Sequence, residues 1–286
     1  MQYPPIVSIP NNPSLHGMAG VIPDVVYSTA RGMDLKLSLI LPWHEEETPP
    51  AKRPLIVFVQ GSGWTSPDIS YQLPQLGRYA QFGHAVATVT HRSSKEGHPF
   101  PAYLQDVKTA IRFLRAHADE YGLDTERICI FGTSSGGNTA LLVGLTPNDP
   151  RYETEEYADQ SSAVKTVISC FGPTDLQALV GNNVNTFLYN PDFSGLLPAG
   201  WEPEKLLTAM SPIAEIIPGC DYPPILLAQG DADELVPFSQ SESMYHALLD
   251  AGCSARLIRV LGAPHEGSFW SNRLFGLIAD FLRETL

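Results

Sequence analysis

Arg127-Ile128-Cys129-Ile130-Phe131-Gly132-Thr133-Ser134-Ser135-Gly136-Gly137 is the stretch that decides the fold. An apolar, β-branched run ends in Gly-x-Ser-x-Gly, and an Ala/Leu-rich helical pattern, Asn138 to Leu145, follows at once. Strand, sharp turn and helix in that order are what a nucleophile elbow requires. In so tight a turn, Cβ atoms two residues before and two after the serine would collide, and glycine at Gly132 and Gly136 removes them. Ser134 then projects above the sheet edge, and the N–H after it faces the side of a helix N-terminus, where anions are favoured. Ser134 is therefore the candidate nucleophile. Ser135 is not, because Thr133 stands two residues before it.

Working outward, strand-like runs alternate with helical ones. Asp24 to Ser28 and Leu35 to Leu41 read as strands, with an alternation suited to a half-buried edge. Leu55 to Val59 is a continuous apolar run, as for a strand covered on both faces. Gln72 to Phe82 reads as helix and His84 to Thr90 as strand. Tyr103 to Tyr121 is the clearest helix: Leu104, Val107, Ile111, Leu114 and Ala118 recur at spacings of three and four, with charges between them. After the elbow come strand Val164 to Cys170, strand Ile225 to Ala228, helix Phe238 to Ala251 closed by Gly252, strand Arg256 to Leu261, and a C-terminal helix marked by Leu274, Leu277, Ile278, Phe281 and Leu282. The alternation predicts an α/β domain spanning 1–286, with a mostly parallel central sheet and helices on both faces. Binding then falls at the carboxyl ends of the strands. Residues 1–20, rich in Pro and Asn, read as a surface arm, and Glu45 to Lys52 as a charged loop. The stretch 175–222 is too long for a simple crossover and carries Leu176, Leu179, Val180, Phe187, Tyr189, Leu196, Leu197 and Trp201. It is expected to form a small helical cap insertion over the site.

Eighteen basic against 31 acidic residues give a net charge of −13 with His neutral. That balance opposes nucleic acid and anionic membranes as partners, since both need phosphate neutralised by Lys and Arg. No apolar run is long enough to cross a bilayer. Met1-Gln2-Tyr3-Pro4-Pro5 has neither the basic region nor the apolar core of a signal peptide. The four cysteines, Cys129, Cys170, Cys220 and Cys253, are far apart and show no metal spacing. A reduced, cytoplasmic protein without metal or cofactor is the expectation.

A serine hydroxyl needs a neighbouring base, and the base works best when a carboxylate orients it. Two loops that follow strands supply both. Gln229-Gly230-Asp231-Ala232-Asp233 follows one strand, and Leu261-Gly262-Ala263-Pro264-His265 follows the last. His265 is the candidate base, because His246 lies in a helical pattern and His117 on a charged helical face. Asp233 is assigned as the acid over Asp231, since the loop must carry the carboxylate out to the imidazole; Asp231 reads as a turn residue. Donors for an oxyanion come from the residue after the nucleophile and from the loop Gln60-Gly61-Ser62-Gly63-Trp64. The N–H groups of Ser62, Gly63 and Ser135 are the expected set. Trp64, beside that loop, is the expected substrate contact, while Phe171, Phe187, Tyr189, Trp201, Phe269 and Trp270 are further pocket candidates. His98 reads as a loop residue.

Taken together, Gln60-Gly61-Ser62-Gly63-Trp64, Phe100-Pro101-Ala102 with Asp106, Gly132-Thr133-Ser134-Ser135-Gly136-Gly137, Gly172-Pro173-Thr174-Asp175, Gly230 with Asp233, and His265 give the chain a resemblance. From Val25 onward it resembles the esterase branch of the α/β-hydrolase superfamily, near the Bacteroidales-type feruloyl esterases and acetyl-xylan-esterase-like carboxylesterases. The resemblance implies an α/β-hydrolase fold with Ser134 as nucleophile, Asp233 as acid and His265 as base, and it implies that Asp106 braces nearby loops. One position departs from the pattern: the oxyanion loop usually reads His-Gly-Gly-Gly, and here it is Gln60-Gly61-Ser62-Gly63.

The expected activity is thus hydrolysis of carboxylic esters, acetyl or feruloyl in type, on a small alcohol or an oligosaccharide, through an acyl-enzyme. A small peptidase or amidase, or a non-catalytic binding protein on the same scaffold, are the alternatives. The Pro-rich arm and the cap are surfaces on which a homodimer could form.

Overall fold

Leu55, Val57 and Val59 face one side of their strand and Ile56 and Phe58 the other, and all five are fully buried. That is the geometry of a strand covered on both faces, with side chains alternating at a period of two. The computed structural model describes residues 6–29, 32–44, 52–191 and 194–286. Its strands are β1 (Ala19–Ser28), β2 (Leu35–Pro42), β3 (Arg53–Val59), β4 (Ala85–Val89), β5 (Leu123–Thr133), β6 (Thr166–Cys170), β7 (Ile225–Gly230) and β8 (Ala255–Val260). They form one sheet in the order β1-β2-β4-β3-β5-β6-β7-β8. The β1–β2 and β2–β4 pairs are antiparallel and the others parallel. This is the α/β-hydrolase architecture that the sequence resemblance implied.

Helices cover both faces. On one side, α2 (Ala102–Ala116), α4 (Ser135–Leu145) and α8 (Phe238–Asp250) bring Leu104, Val107, Leu141 and Met244 against Leu55, Val57 and Ile130. On the other, α1 (Leu73–Gln81) and α9 (Asn272–Thr285) bring Leu76, Tyr79, Ile278 and Phe281 against Ile56, Phe58 and Phe131. The first turn of α9 is capped by Ser271, whose Oγ accepts from the Leu274 N–H.

Three expectations need correction. The run Leu35–Leu41 is not an edge: β2 is paired on both sides, and the edge is β1, which starts at Ala19 inside the stretch read as an arm. Pro23, which lacks a ladder donor, sits where the β1–β2 register shifts between Ile22 and Val25. The helix expected over Tyr103 to Tyr121 breaks at His117 into α2 and a single turn, α3 (Ala118–Tyr121). Three of the charges between its apolar residues are inside the protein. Asp106, Lys108 and Arg112 are buried, because the segment that follows α4 folds over them and Glu153 pairs with both Lys108 and Arg112. Of the expected charged loop, Glu45 to Lys52, only Lys52 lies among the described residues.

Strand register places the chemistry. β3 ends at Val59 opposite Gly132 of β5, and Thr133 stands opposite Cys170 of β6. The loops leaving β3, β5, β7 and β8 therefore emerge at one edge of the sheet, the carboxyl edge where α/β folds bind ligands. The core beneath them sets the stability. Leu227, fully buried in β7, is expected to cost about 2–5 kcal/mol on truncation to Ala. A urea titration that lowers the midpoint without changing the slope would show it.

Candidate active site

Ser134 occupies the turn between β5 and α4 with φ 51° and ψ −125°. A non-glycine residue held there is strained by roughly 1–3 kcal/mol. Two glycines make the turn possible, each in its own way. A Cβ on Gly132 would lie 2.0 Å from the Gly136 carbonyl oxygen, whereas a Cβ on Gly136 would strike the Val59 carbonyl oxygen of β3 at 2.1 Å. The elbow is thus pinned against the neighbouring strand as well as against itself. The Ser134 N–H donates to the Cys170 carbonyl and its own carbonyl accepts from the Asn138 N–H, which fixes the turn at both ends.

Three segments distant in sequence converge on this serine. His265 Nε2 lies 3.0 Å from Ser134 Oγ, and His265 Nδ1 lies 2.7 Å from Asp233 Oδ2. A carboxylate can only accept, so Nδ1 carries the proton and Nε2 is left to accept from the serine hydroxyl. The Asp233 side chain is fully shielded from solvent. Its Oδ1 accepts from the Leu235 and Val236 N–H groups, both at 2.9 Å, and its Oδ2 from Gln229 Nε2 at 2.8 Å. Burial by itself raises this carboxyl. Hydrogen bonds from His265 and from the Val236 and Leu235 backbone outweigh burial and hold it below the usual range.

Gln229 was not singled out from the sequence. Its signal was a polar residue closing an otherwise apolar strand. Fully buried, it donates to both Asp233 and the Val236 carbonyl and accepts from Ser241 Oγ at 3.1 Å. Asp231, the alternative acid, is elsewhere. It accepts from the Gly262 N–H at 2.5 Å and pairs with Arg259 at 2.9 Å, bridging two loops rather than closing its own turn.

The expected oxyanion donors separate. The Ser62 N–H donates to Ser135 Oγ at 2.9 Å, and the Gly61 N–H to Thr133 Oγ1 at 2.9 Å. The hydroxyls on either side of Ser134 hold the loop in place, and Ser62 is committed to that task. Gly63 and Ser135 line the cavity beside Ser134. Ser135 opens α4, so its N–H has no partner within the helix.

That cavity has a volume of about 230 Å³. Trp64, Pro173, Leu235 and Val236 form part of it, and the 175–222 segment supplies Leu179, Val180, Asn183, Thr186, Phe187 and Asn190. This segment holds α5 (Leu176–Val180), α6 (Val184–Leu188) and α7 (Pro203–Ala209), and its root is tied down by Gln240, which accepts from the Thr174 and Asp175 N–H groups. Of the aromatic candidates, Trp64 and Phe187 reach the cavity. Phe171 packs edge-on beneath His265 at 4.7 Å and rests on Phe269 and Trp270. Trp201 packs on Phe100, and Tyr189 is 77% exposed. His98 does not line the cavity. Asp106 forms a buried fork with Arg92 and accepts from the Arg92 N–H, as suits a brace between loops.

Residues 39–248 match the BD-FAE family profile. The chain belongs to the BD-FAE family. Among curated relatives, this BD-FAE chain is 29% identical to Esterase LipC of Mycobacterium tuberculosis over 72% of its own length and 51% of that protein's. It therefore spans about half the length of that relative. Among solved structures, it is similar to butyrate-bound esterase 2 of Thermogutta terrifontis, with 28% identity, a TM-score of 0.75 and 95% of each chain covered. A truncated carbohydrate esterase from gut microbiota is similar at 27% identity and a TM-score of 0.71, covering 96% of this chain and 99% of that one. Among the described residues, no cluster of His, Cys, Asp and Glu could hold a metal ion, the four cysteines are unpaired, and no helix is long and apolar enough to cross a membrane.

Asp233 carries a pH dependence. Its folded carboxyl titrates below the unfolded value of about 3.9, so the stabilisation it brings is full above that value and is lost as pH falls through the folded one. Replacing Asp233 with Asn removes this titration. Urea midpoints measured from pH 6 down to about 2.5 should fall more steeply for wild type than for Asp233→Asn, with the two curves converging in acid.

Proposed function

We propose that this chain is a serine carboxylesterase that works through an acyl-enzyme and prefers short acyl groups. The observation that carries the reading is the relay from Asp233 through His265 to Ser134, with both imidazole nitrogens engaged and the hydroxyl at the rim of a cavity. His265 takes the Ser134 proton as Oγ attacks the ester carbonyl, and Asp233 stabilises the imidazolium. The N–H groups of Gly63 and Ser135 receive the developing oxyanion, each lowering the barrier by about 3 kcal/mol. His265 then protonates the leaving alcohol, and water attacks the acyl-enzyme through the same base.

Cavity size supports the short-acyl reading. At about 230 Å³, it falls below the roughly 300–1,000 Å³ of pockets that enclose drug-sized ligands. Leu179, Val180, Phe187 and Val236 present apolar surface to an acetyl, propionyl or butyryl group. The similar Thermogutta terrifontis esterase holds butyrate. On the alcohol side, the amides of Asn183 and Asn190 and the Thr186 hydroxyl are neutral groups suited to the hydroxyls of a carbohydrate. A net charge of −13 also favours a neutral alcohol over an anionic one.

Ser134→Ala should fold normally and lose kcat on an aryl acetate by about 10⁴-fold or more, together with labelling by a fluorophosphonate probe. Retained turnover in that variant removes the nucleophile. An acyl panel from acetate through octanoate to ferulate should show kcat/KM falling beyond butyrate; a maximum at ferulate refutes the short-acyl reading. Faster cleavage of an aminoacyl anilide than of the acetate would make the chain an amidase instead.

A further inference from the structure

Asn138 is a polar side chain on the first turns of α4, followed by the apolar run Ala140 to Val143, and it is fully buried. Its amide meets three segments. Nδ2 donates to the Pro173 carbonyl at 2.9 Å and to the Met210 carbonyl at 2.8 Å, and Oδ1 accepts from Trp64 Nε1 at 3.3 Å. Two carbonyls can be met only by the NH₂ end, so the oxygen must face the indole and the amide has one workable orientation.

Each partner belongs to a different part of the site. Pro173 lines the cavity in the loop after β6. Met210 follows α7, near the far end of the 175–222 segment. Trp64 follows Gly63 in the oxyanion loop, and its ring meets Phe187 of α6 edge-on at 6.3 Å and Tyr103 of α2 at 6.3 Å. The Trp64 backbone has φ 60°, a region that bulky residues leave unless their surroundings hold them in it. The indole is the only part of Trp64 large enough to be held from a distance, and Asn138 grips its polar end.

We infer that Asn138 is a positioning residue for the reaction. It fixes the Trp64 indole and, through it, the Gly63–Trp64 backbone beside Ser134. By binding Met210 through the same amide, it also locks the end of the 175–222 segment to the oxyanion loop. The wall of the acyl cavity and the placement of the Gly63 N–H are therefore set together by one side chain three residues downstream of Ser135. The kinetic consequence rests on the esterase reading above; the structural consequence does not.

The test uses the whole chain with ¹⁵N-labelled tryptophan, the Trp64 indole N–H resonance being assigned by its loss in Trp64→Phe. In folded Asn138→Ala, that resonance should shift and its exchange with solvent should accelerate, while the other three indole signals stay in place. On an aryl acetate, Asn138→Ala should lower kcat roughly tenfold or more, as misplacement of a reacting group does, with KM within about threefold of wild type. Trp64→Phe should lose part of that rate, and the double variant should fall no further than Asn138→Ala alone. An unmoved Trp64 resonance in Asn138→Ala overturns the inference. So does a lower melting temperature with wild-type kcat, the pattern of a merely structural residue. If Asn138→Ala does not fold, Asn138→Ser takes its place in both measurements with the same expectations. A wild-type protein that hydrolyses no ester and takes no fluorophosphonate label would defeat the proposed function, and the indole resonance would still decide what Asn138 holds.

Discussion

Close approach of backbone to backbone at Gly132, Gly136 and Val59 is the constraint on which the rest of the site depends. It lets β5 turn into α4 within a few residues and hold Ser134 at a positive φ, with its hydroxyl clear of the sheet. The elbow is not self-supporting. The Thr133 and Ser135 hydroxyls on either side of Ser134 accept from the Gly61 and Ser62 N–H groups, so the loop after β3 is bound to the turn. Strain at one residue is sustained because several bonds around it point the same way.

The loop after β7 shows how a buried charge is made tolerable. Asp233 is shielded from water, which alone would favour its neutral form. Two backbone N–H groups, the Gln229 amide and the His265 ring satisfy its oxygens, so the carboxylate stays ionised and orients the imidazole. Phe171 closes the other side of that ring with an apolar edge contact. The His265 ring is thus held by a carboxylate at Nδ1 and by packing beneath, and its Nε2 meets Ser134 Oγ.

Much of this was legible in the chain because strong local signals coincide with it. The continuous run Leu55–Val59, the Gly-x-Ser-x-Gly turn, and the loops that follow the strands ending at Gly230 and Val260 each announce themselves by residue type. Length and apolar content set the 175–222 segment apart in the sequence; Leu179, Val180 and Phe187 of it line the cavity, whereas Tyr189 is exposed and Trp201 packs on Phe100. Misreadings arose where a pattern had two physical causes. The spacing from Leu104 to Ala118 fits one helix to Tyr121, yet the chain breaks at His117. Alternation in Leu35–Leu41 fits an edge, yet β1 pairs outside it. Ser62 has the backbone freedom of an oxyanion donor, yet the neighbouring Ser135 hydroxyl takes its N–H.

By itself the sequence determined the alternation of the main strands and helices, where the sharp turn falls, and which residue types stand at strand ends, since these follow from periodicity, glycine and chain order. Tertiary structure alone decided which of Asp231 and Asp233 meets His265, that the Gly61 and Ser62 N–H groups bond to Thr133 and Ser135, and that Gln229 and Asn138 carry the site's buried hydrogen bonds. The physical reason is that a polar group's role depends on the partner it finds once water is excluded. Those partners come from segments far apart in the chain and adjacent only after the sheet has formed.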